Sequence, residues 1–94
     1  MSTFIKTTCI LCRENAEYRD YLARRLKHFS CQKCKHYIIK NKAEQHIATA
    51  QHLRDQFSAY AAAVPTDLVT LLTFDQARPG VDAEYLPLHE ALHR

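Results

Sequence analysis

The spacing of four cysteines constrains this 94-residue chain more than any other feature. They form two C-x2-C pairs, Cys9 with Cys12 and Cys31 with Cys34, separated by 18 residues. Two residues between thiolates allow a tight turn to place both sulfur atoms on one ion, and two such turns complete a tetrahedral zinc site. The gap lies in the range typical of this arrangement. The sequence therefore predicts one structural zinc ion held by all four cysteines.

Other uses of the cysteines are iron binding, two independent redox pairs, or reduced structural thiols. A redox CxxC pair needs its first cysteine at the start of a helix, and neither pair opens a helical pattern. The N-terminal residues lack the apolar run of a signal peptide, and no apolar stretch reaches the roughly 20 residues of a spanning helix. We expect a cytoplasmic protein without membrane contact, in which cysteines stay reduced and more often bind metal than form disulfides.

The two CxxC turns resemble those of the zinc-ribbon family of small bacterial-type domains, in which two knuckles top a β-hairpin and clamp one zinc ion. The resemblance covers about residues 4–40 and implies a zinc-containing binding scaffold with the four cysteines as ligands. The chain departs from the usual CPxCG pattern, because Arg13 and Lys35 stand where glycine is common, and Ile10 and Gln32 where proline is common. Glycine is common after the second cysteine because that position often adopts a left-handed or turn conformation, which glycine tolerates best. The departure weakens a rubredoxin-like electron-transfer interpretation more than it weakens zinc binding.

Short strands are predicted in the N-terminal part of the chain. Residues Thr3–Thr8, Ala16–Tyr21 and Tyr37–Ile39 are rich in β-branched or aromatic side chains. The segment Leu22–Lys27 fits either a hairpin arm or a turn of helix.

A helical period begins at Asn41. No glycine or proline follows until Pro65, and the pattern predicts one long amphipathic helix near Lys42–Ala63, with Asn41 as N-cap and Glu44 completing a capping box. An apolar stripe recurs at spacings of three and four; its members are His46, Ala50, Leu53, Phe57, Tyr60 and Val64. The stripe fits packing within the domain, and also a coiled-coil seam between two chains.

The C-terminal part is predicted to be a β-hairpin and a short tail. Its strands are expected at Thr66–Phe74 and Ala83–Leu86, joined by a turn over Ala77–Asp82 that contains Pro79 and Gly80. The fold class is therefore α+β in one compact domain over residues 1–94. It comprises a zinc β-ribbon (1–40), the helix (41–64), and the hairpin with its tail (65–94).

Charge is unevenly distributed along the chain. Residues 1–42 contain ten Lys or Arg and three Asp or Glu, a net charge of +7, whereas residues 43–94 contain three and seven, a net charge of −4. Zinc with four thiolates carries −2, so the N-terminal part stays near +5. A basic surface attracts nucleic-acid phosphates, although it also solubilises a small domain. The candidate nucleic-acid contacts are Arg24, Arg25, Lys27, Lys33 and Lys35.

The remaining sequence features give weaker evidence of function. His89-Glu90-Ala91-Leu92-His93 matches the H-E-x-x-H pattern of zinc peptidases, but it lacks a third ligand downstream, so an amphipathic C-terminal turn is the preferred interpretation. His28 and His36 flank the second knuckle, where either can hydrogen-bond a thiolate or replace a ligand. The single glycine, Gly80, excludes phosphate loops of the P-loop and Rossmann types.

The sequence thus predicts a non-enzymatic zinc-ribbon binding module with Zn as its cofactor, no catalytic residues and no small-molecule substrate. Nucleic acid is the expected partner, contacted through the basic N-terminal face. The alternative is a protein–protein adaptor or small regulator, or a homodimer, that uses the amphipathic helix and the acidic C-terminal part.

Overall fold

Six strands form one sheet in the computed structural model, which describes residues 4–74 and 80–94. The strands, which lie in sequence order across the sheet, are β1 (Ile5–Thr8), β2 (Asn15–Tyr21), β3 (Leu26–Cys31), β4 (Lys35–Lys40), β5 (Val69–Phe74) and β6 (Val81–Leu86). Neighbouring strands are antiparallel, except that β4 and β5 are parallel. The predicted α+β class is confirmed. The ambiguous segment after β2 forms a 3-10 turn at Leu22–Arg24 before β3 begins.

Helices complete the fold on both faces of the sheet. A parallel strand pair requires a crossover connection, and α1 (Asn41–Ala48) and α2 (Gln51–Ala62) supply it between β4 and β5. A third helix, α3 (Leu88–His93), follows β6. Among the described residues no helix is long and apolar enough to cross a membrane.

The prediction of one long helix is matched only in part, because the helical segment is interrupted at Thr49 and Ala50. The Thr49 hydroxyl donates to the His46 carbonyl at 3.0 Å, and the Thr49 amide bonds the same carbonyl. Such local bonding by threonine competes with the regular helical pattern. Ala50 is extended and starts α2, while Arg54 donates to the exposed Ala48 carbonyl at 3.1 Å.

The predicted capping box is wrong. Lys40 occupies the N-cap position with an extended backbone, and Asn41 is the first residue of α1. The Asn41 Oδ1 atom is buried without a hydrogen-bond partner among the described residues. Glu44 forms an ion pair with Lys27 at 3.1 Å instead of reaching back to the cap. The helix therefore begins where β4 ends, fixed by the strand rather than by a side-chain cap.

The two faces of the sheet have separate cores, because side chains alternate along each strand. The larger core, under α1 and α2, includes Cys9, Phe29, Cys31, Cys34, Tyr37, Ile39, Ala43, Ile47, Phe57, Ala61 and Leu72. The smaller core, under α3, contains Leu26, Ile38, Val69, Leu71 and Ala91. The apolar stripe of the helical segment packs on its own sheet: Phe57 is buried there, and Tyr60 stacks on Tyr85 at 4.4 Å.

The predicted C-terminal hairpin exists only in part. Strands β5 and β6 pair antiparallel from Val69↔Leu86 to Phe74↔Val81, but β5 also joins β4, so the pair extends the ribbon sheet instead of forming a separate unit. Residues 77–79 of the predicted turn at Ala77–Asp82 lie outside the described residues, and its last two residues, Val81 and Asp82, belong to β6. The predicted tail forms α3.

Candidate metal centre

The first knuckle is the turn between β1 and β2. The Cys9 amide donates to the Glu14 carbonyl at 2.8 Å and the Arg13 amide donates to the Cys9 carbonyl at 2.9 Å, which closes the turn. The backbone amides of Leu11 and Cys12 hydrogen-bond the Cys9 sulfur. Arg13 has φ 64°, the left-handed conformation expected at this position from its family resemblance. The backbone thus turns both sulfur atoms toward one point.

The second knuckle repeats this geometry between β3 and β4. Cys31 ends β3 and pairs with Lys35 at the start of β4, which leaves Gln32 and Lys33 exposed at the tip. Lys35 has φ 61°, nearly the value of Arg13 in the first knuckle. Both positions at which the CPxCG pattern has glycine therefore carry a long basic side chain and adopt the left-handed conformation.

The four cysteine sulfur atoms meet at the end of the sheet where both knuckles lie. All lie within 4.8 Å of one another, with Cys9 and Cys34 at 3.8 Å and Cys12 and Cys31 at 3.4 Å. A zinc–sulfur bond of about 2.3 Å gives a tetrahedron with edges of about 3.8 Å. The donor set and its spacing therefore fit a closed four-thiolate metal site. Cys9, Cys31 and Cys34 are buried and Cys12 is partly exposed.

Two hydroxyl groups that the sequence analysis did not single out contact the sulfur atoms. Tyr37 Oη lies 3.2 Å from the Cys9 sulfur, and Ser58 Oγ lies 3.3 Å from the Cys34 sulfur. Both side chains are buried. Tyr37 is on β4, next to the knuckle, whereas Ser58 is on α2 and reaches the site only because that helix packs over the sheet. No sequence signal marks Ser58.

The surroundings shift the pKa values of the cysteine thiols in different directions. The hydrogen bond shared with Cys34 lowers the pKa of Cys9 to about 4, with further help from Tyr37 and the knuckle amides. Burial raises the pKa of Cys12 to about 11, and the bond to Cys9 raises the pKa of Cys34 well above its usual value. Burial and the Cys9 charge raise the pKa of Tyr37, so its hydroxyl keeps the proton that it donates to a thiolate. A bound cation would displace the remaining thiol protons.

The histidines beside the second knuckle do not contact the sulfur atoms. His28 Nε2 and His36 Nδ1 hydrogen-bond each other at 3.0 Å, on the opposite sheet face from Phe29 and Tyr37. Burial, then His36 and Arg19, lower the pKa of His28 to about 4, so its ring is neutral. In residues 4–74 and 80–94 the cysteine cluster is the only group of three or more His, Cys, Asp or Glu whose ligand atoms come together.

The H-E-x-x-H residues lie on the six-residue helix α3. His89 and His93 are exposed and their rings are 4.6 Å apart, as expected one turn apart. Glu90 is exposed, and neither imidazole joins a larger ligand group in the described part of the chain.

The five predicted nucleic-acid contacts do not form one surface. Lys33 and Lys35 lie at the knuckle end of the β3–β4 hairpin, and Arg24 and Arg25 at the other end, a strand length of roughly 20 Å away. All four are exposed. The fifth, Lys27, points to the α1 face, where it forms the ion pair with Glu44 and lies 5.4 Å from the Tyr18 ring.

No family model matches this chain, and neither the curated proteins nor the solved structures give a match. The metal-site interpretation therefore depends on the arrangement of the cysteines.

Proposed function

We propose that this protein is a small, non-enzymatic binding module whose structure is completed by one zinc ion on Cys9, Cys12, Cys31 and Cys34. The observation that carries the proposal is the convergence of four sulfur atoms within 4.8 Å. Four thiolates saturate a tetrahedral zinc ion, which leaves no open position for a substrate or a reactive water. Zinc then has an architectural role, and the expected compartment is the cytoplasm.

The ligand that we propose for this module is nucleic acid. The net charge of +7 over residues 1–42 supports it, as does the exposure of Arg24, Arg25, Lys33 and Lys35. Because Lys27 is paired with Glu44, we leave it out of the contact surface. The proposed contacts neutralise phosphates, so the binding must weaken steeply as salt increases.

Two measurements test these parts separately. Elemental analysis of the purified protein is expected to give one zinc per chain, and equal stability with and without zinc would contradict the structural role. Fluorescence anisotropy with mixed-sequence DNA and RNA is expected to show salt-dependent binding. Negligible binding at low salt would refute the nucleic-acid part and leave the zinc part standing.

A protein adaptor remains the second candidate function. The apolar stripe of α1 and α2 is occupied by the sheet, so a partner must use another surface. The edge strand β1 offers one, since among the described strands it pairs only with β2, and its Ile5 side chain is 51% exposed. Affinity capture from the native host with and without nuclease distinguishes the two functions. A partner retained after nuclease treatment favours the adaptor.

A further inference from the structure

The end of the sheet opposite the knuckles joins four cationic or protonatable side chains. Arg24 ends the 3-10 turn before β3, and Lys40 ends β4. His89 and His93 are on α3, which packs on the same sheet face through Ala91. We call these four residues, Arg24, Lys40, His89 and His93, the distal basic cluster.

One side-chain contact and the strand register bring Arg24, Lys40 and α3 to the same end of the sheet. The Arg24 guanidinium donates to the Leu92 carbonyl of α3 at 3.5 Å. Lys40 pairs across the strands with Leu26, whose side chain is buried under α3, so Lys40 lies on the same face. A backbone bond from the Asn41 amide to the Arg25 carbonyl, 3.0 Å long, fixes the turn beside the end of β4.

The charged groups of the cluster lie close enough to repel one another. Arg24 is the largest cause that lowers the pKa of His93, and it adds to burial in lowering that of Lys40. In the described part of the chain, the cluster forms no ion pair. On the same sheet face, Glu84 of β6 pairs with Arg94, and the exposed Glu90 lies between His89 and His93 on α3. An anion placed among these groups would relieve their mutual repulsion.

We propose that the distal basic cluster is a binding site for the phosphate groups of a nucleic-acid backbone. Arginine offers a planar fork of donors that suits phosphate oxygens, lysine adds a point charge, and each imidazole adds a ring N–H donor. The inference rests on the proposed function and assigns its contact to the end of the sheet away from the zinc. It also gives the H-E-x-x-H histidines a role in anion binding instead of metal catalysis.

The test compares two double variants that each remove one arginine and one lysine charge. Arg24→Gln/Lys40→Gln removes them from the cluster, and Lys6→Gln/Arg13→Gln removes exposed charges of β1 and the first knuckle. Zinc-loaded proteins are titrated into a labelled single-stranded DNA at several salt concentrations. Loss of two phosphate contacts lowers the slope of log K against log salt by about 1.4 and weakens binding at low salt by about ten-fold or more.

The result expected is this loss in the cluster variant and a change below about two-fold in the control variant. Equal losses in both variants would overturn the site, because they would indicate diffuse attraction. Amide NMR spectra and the zinc content confirm that each variant is folded. Arg24→Lys/Lys40→Arg keeps the charges and is expected to bind within about three-fold of the original protein; a loss as large as that of the glutamine variant would contradict the inference.

Inorganic phosphate separates this inference from the proposed function. If the original protein does not bind DNA at low salt, the nucleic-acid function fails, and a phosphate titration followed by the ring signals of His89 and His93 decides the site. Shifts that disappear in Arg24→Gln/Lys40→Gln would show a site for free phosphate. Unchanged ring signals would overturn the site itself.

Discussion

The Ser58 hydroxyl offers the sharpest test of the metal centre, because it contacts a sulfur atom from a different element of the fold. Its Oγ lies 3.3 Å from the Cys34 sulfur, and both groups are buried. In the metal-free protein Cys34 is a neutral thiol, since its pKa is raised by the bond to Cys9 and by burial. Zinc binding converts it to a thiolate, and the hydroxyl then donates to a charged acceptor.

The difference between these two states gives the size of the effect. A hydrogen bond to a charged group contributes about 1.5–3 kcal/mol, and a neutral one about 0.5–1.5 kcal/mol. Ser58→Ala therefore loses about 1–1.5 kcal/mol more in the zinc-bound protein than in the metal-free protein. That loss corresponds to about a ten-fold weaker zinc affinity. Alanine is also a strong helix former, so the substitution does not weaken α2 itself.

Competition with a chromophoric zinc chelator measures this change. The matched control is Tyr85→Phe on β6. It removes a hydroxyl that donates to the Tyr60 carbonyl of α2 at 2.7 Å. We expect the control to reduce stability without changing the zinc affinity. Unchanged zinc affinity in Ser58→Ala would refute the reasoning, and so would an equal loss in Tyr85→Phe.

Four further substitutions test other parts of the structure. Cys31→Ser is expected to abolish stoichiometric zinc and to unfold the knuckle end, because structural zinc contributes about 10–16 kcal/mol in small domains; elemental analysis and circular dichroism check this, and retained zinc would contradict it. Arg13→Gly and Lys35→Gly are each expected to raise the free energy of unfolding by up to about 1 kcal/mol, since glycine relieves the left-handed backbone at a partial cost in unfolded-state entropy; urea denaturation of zinc-loaded protein measures it, and destabilisation by both would refute the argument. His93→Ala is expected to leave one zinc per chain by elemental analysis, whereas loss of a second zinc would make the C-terminal motif a metal site.

The sequence was sufficient for features that depend on local spacing. The two CxxC pairs predicted the cysteine cluster, and the departure from glycine at Arg13 and Lys35 marked two of the four non-glycine positions that adopt a left-handed backbone in the described residues. Arg25 and Asp67, the other two, carried no such signal. The strand at Tyr37–Ile39 lies within β4, because a run of large apolar residues suits a strand covered on both faces.

Features that depend on competition or on distant packing could not be predicted. The hydrophobic period continues through Thr49, yet a single hydroxyl bonded to the His46 carbonyl accompanies the helix break. The sequence made Lys27 a candidate phosphate contact, because nothing in it indicated that α1 places Glu44 beside Lys27. The parallel orientation of β4 and β5 depends on the helical crossover between them, and no short sequence motif encodes this orientation.

The four-cysteine site and the crossover helices share one buried core, although they lie in successive segments of the chain, residues 1–40 and 41–64. Cys9 and Cys34 share a continuous buried core with Phe57 and Ala61 of α2, and Ser58 on the same helix contacts a ligand sulfur. Metal binding in such a domain is coupled to folding, because its ligands come together only in the folded chain. Any free energy of metal binding at the cysteines would therefore also stabilise the docking of α2 on the sheet. If the metal stabilised residues 4–40 alone, α2 would have to be independent of the cysteines. Its shared core with Cys9 and Cys34, and the contact of Ser58 with a cysteine sulfur, show that it is not.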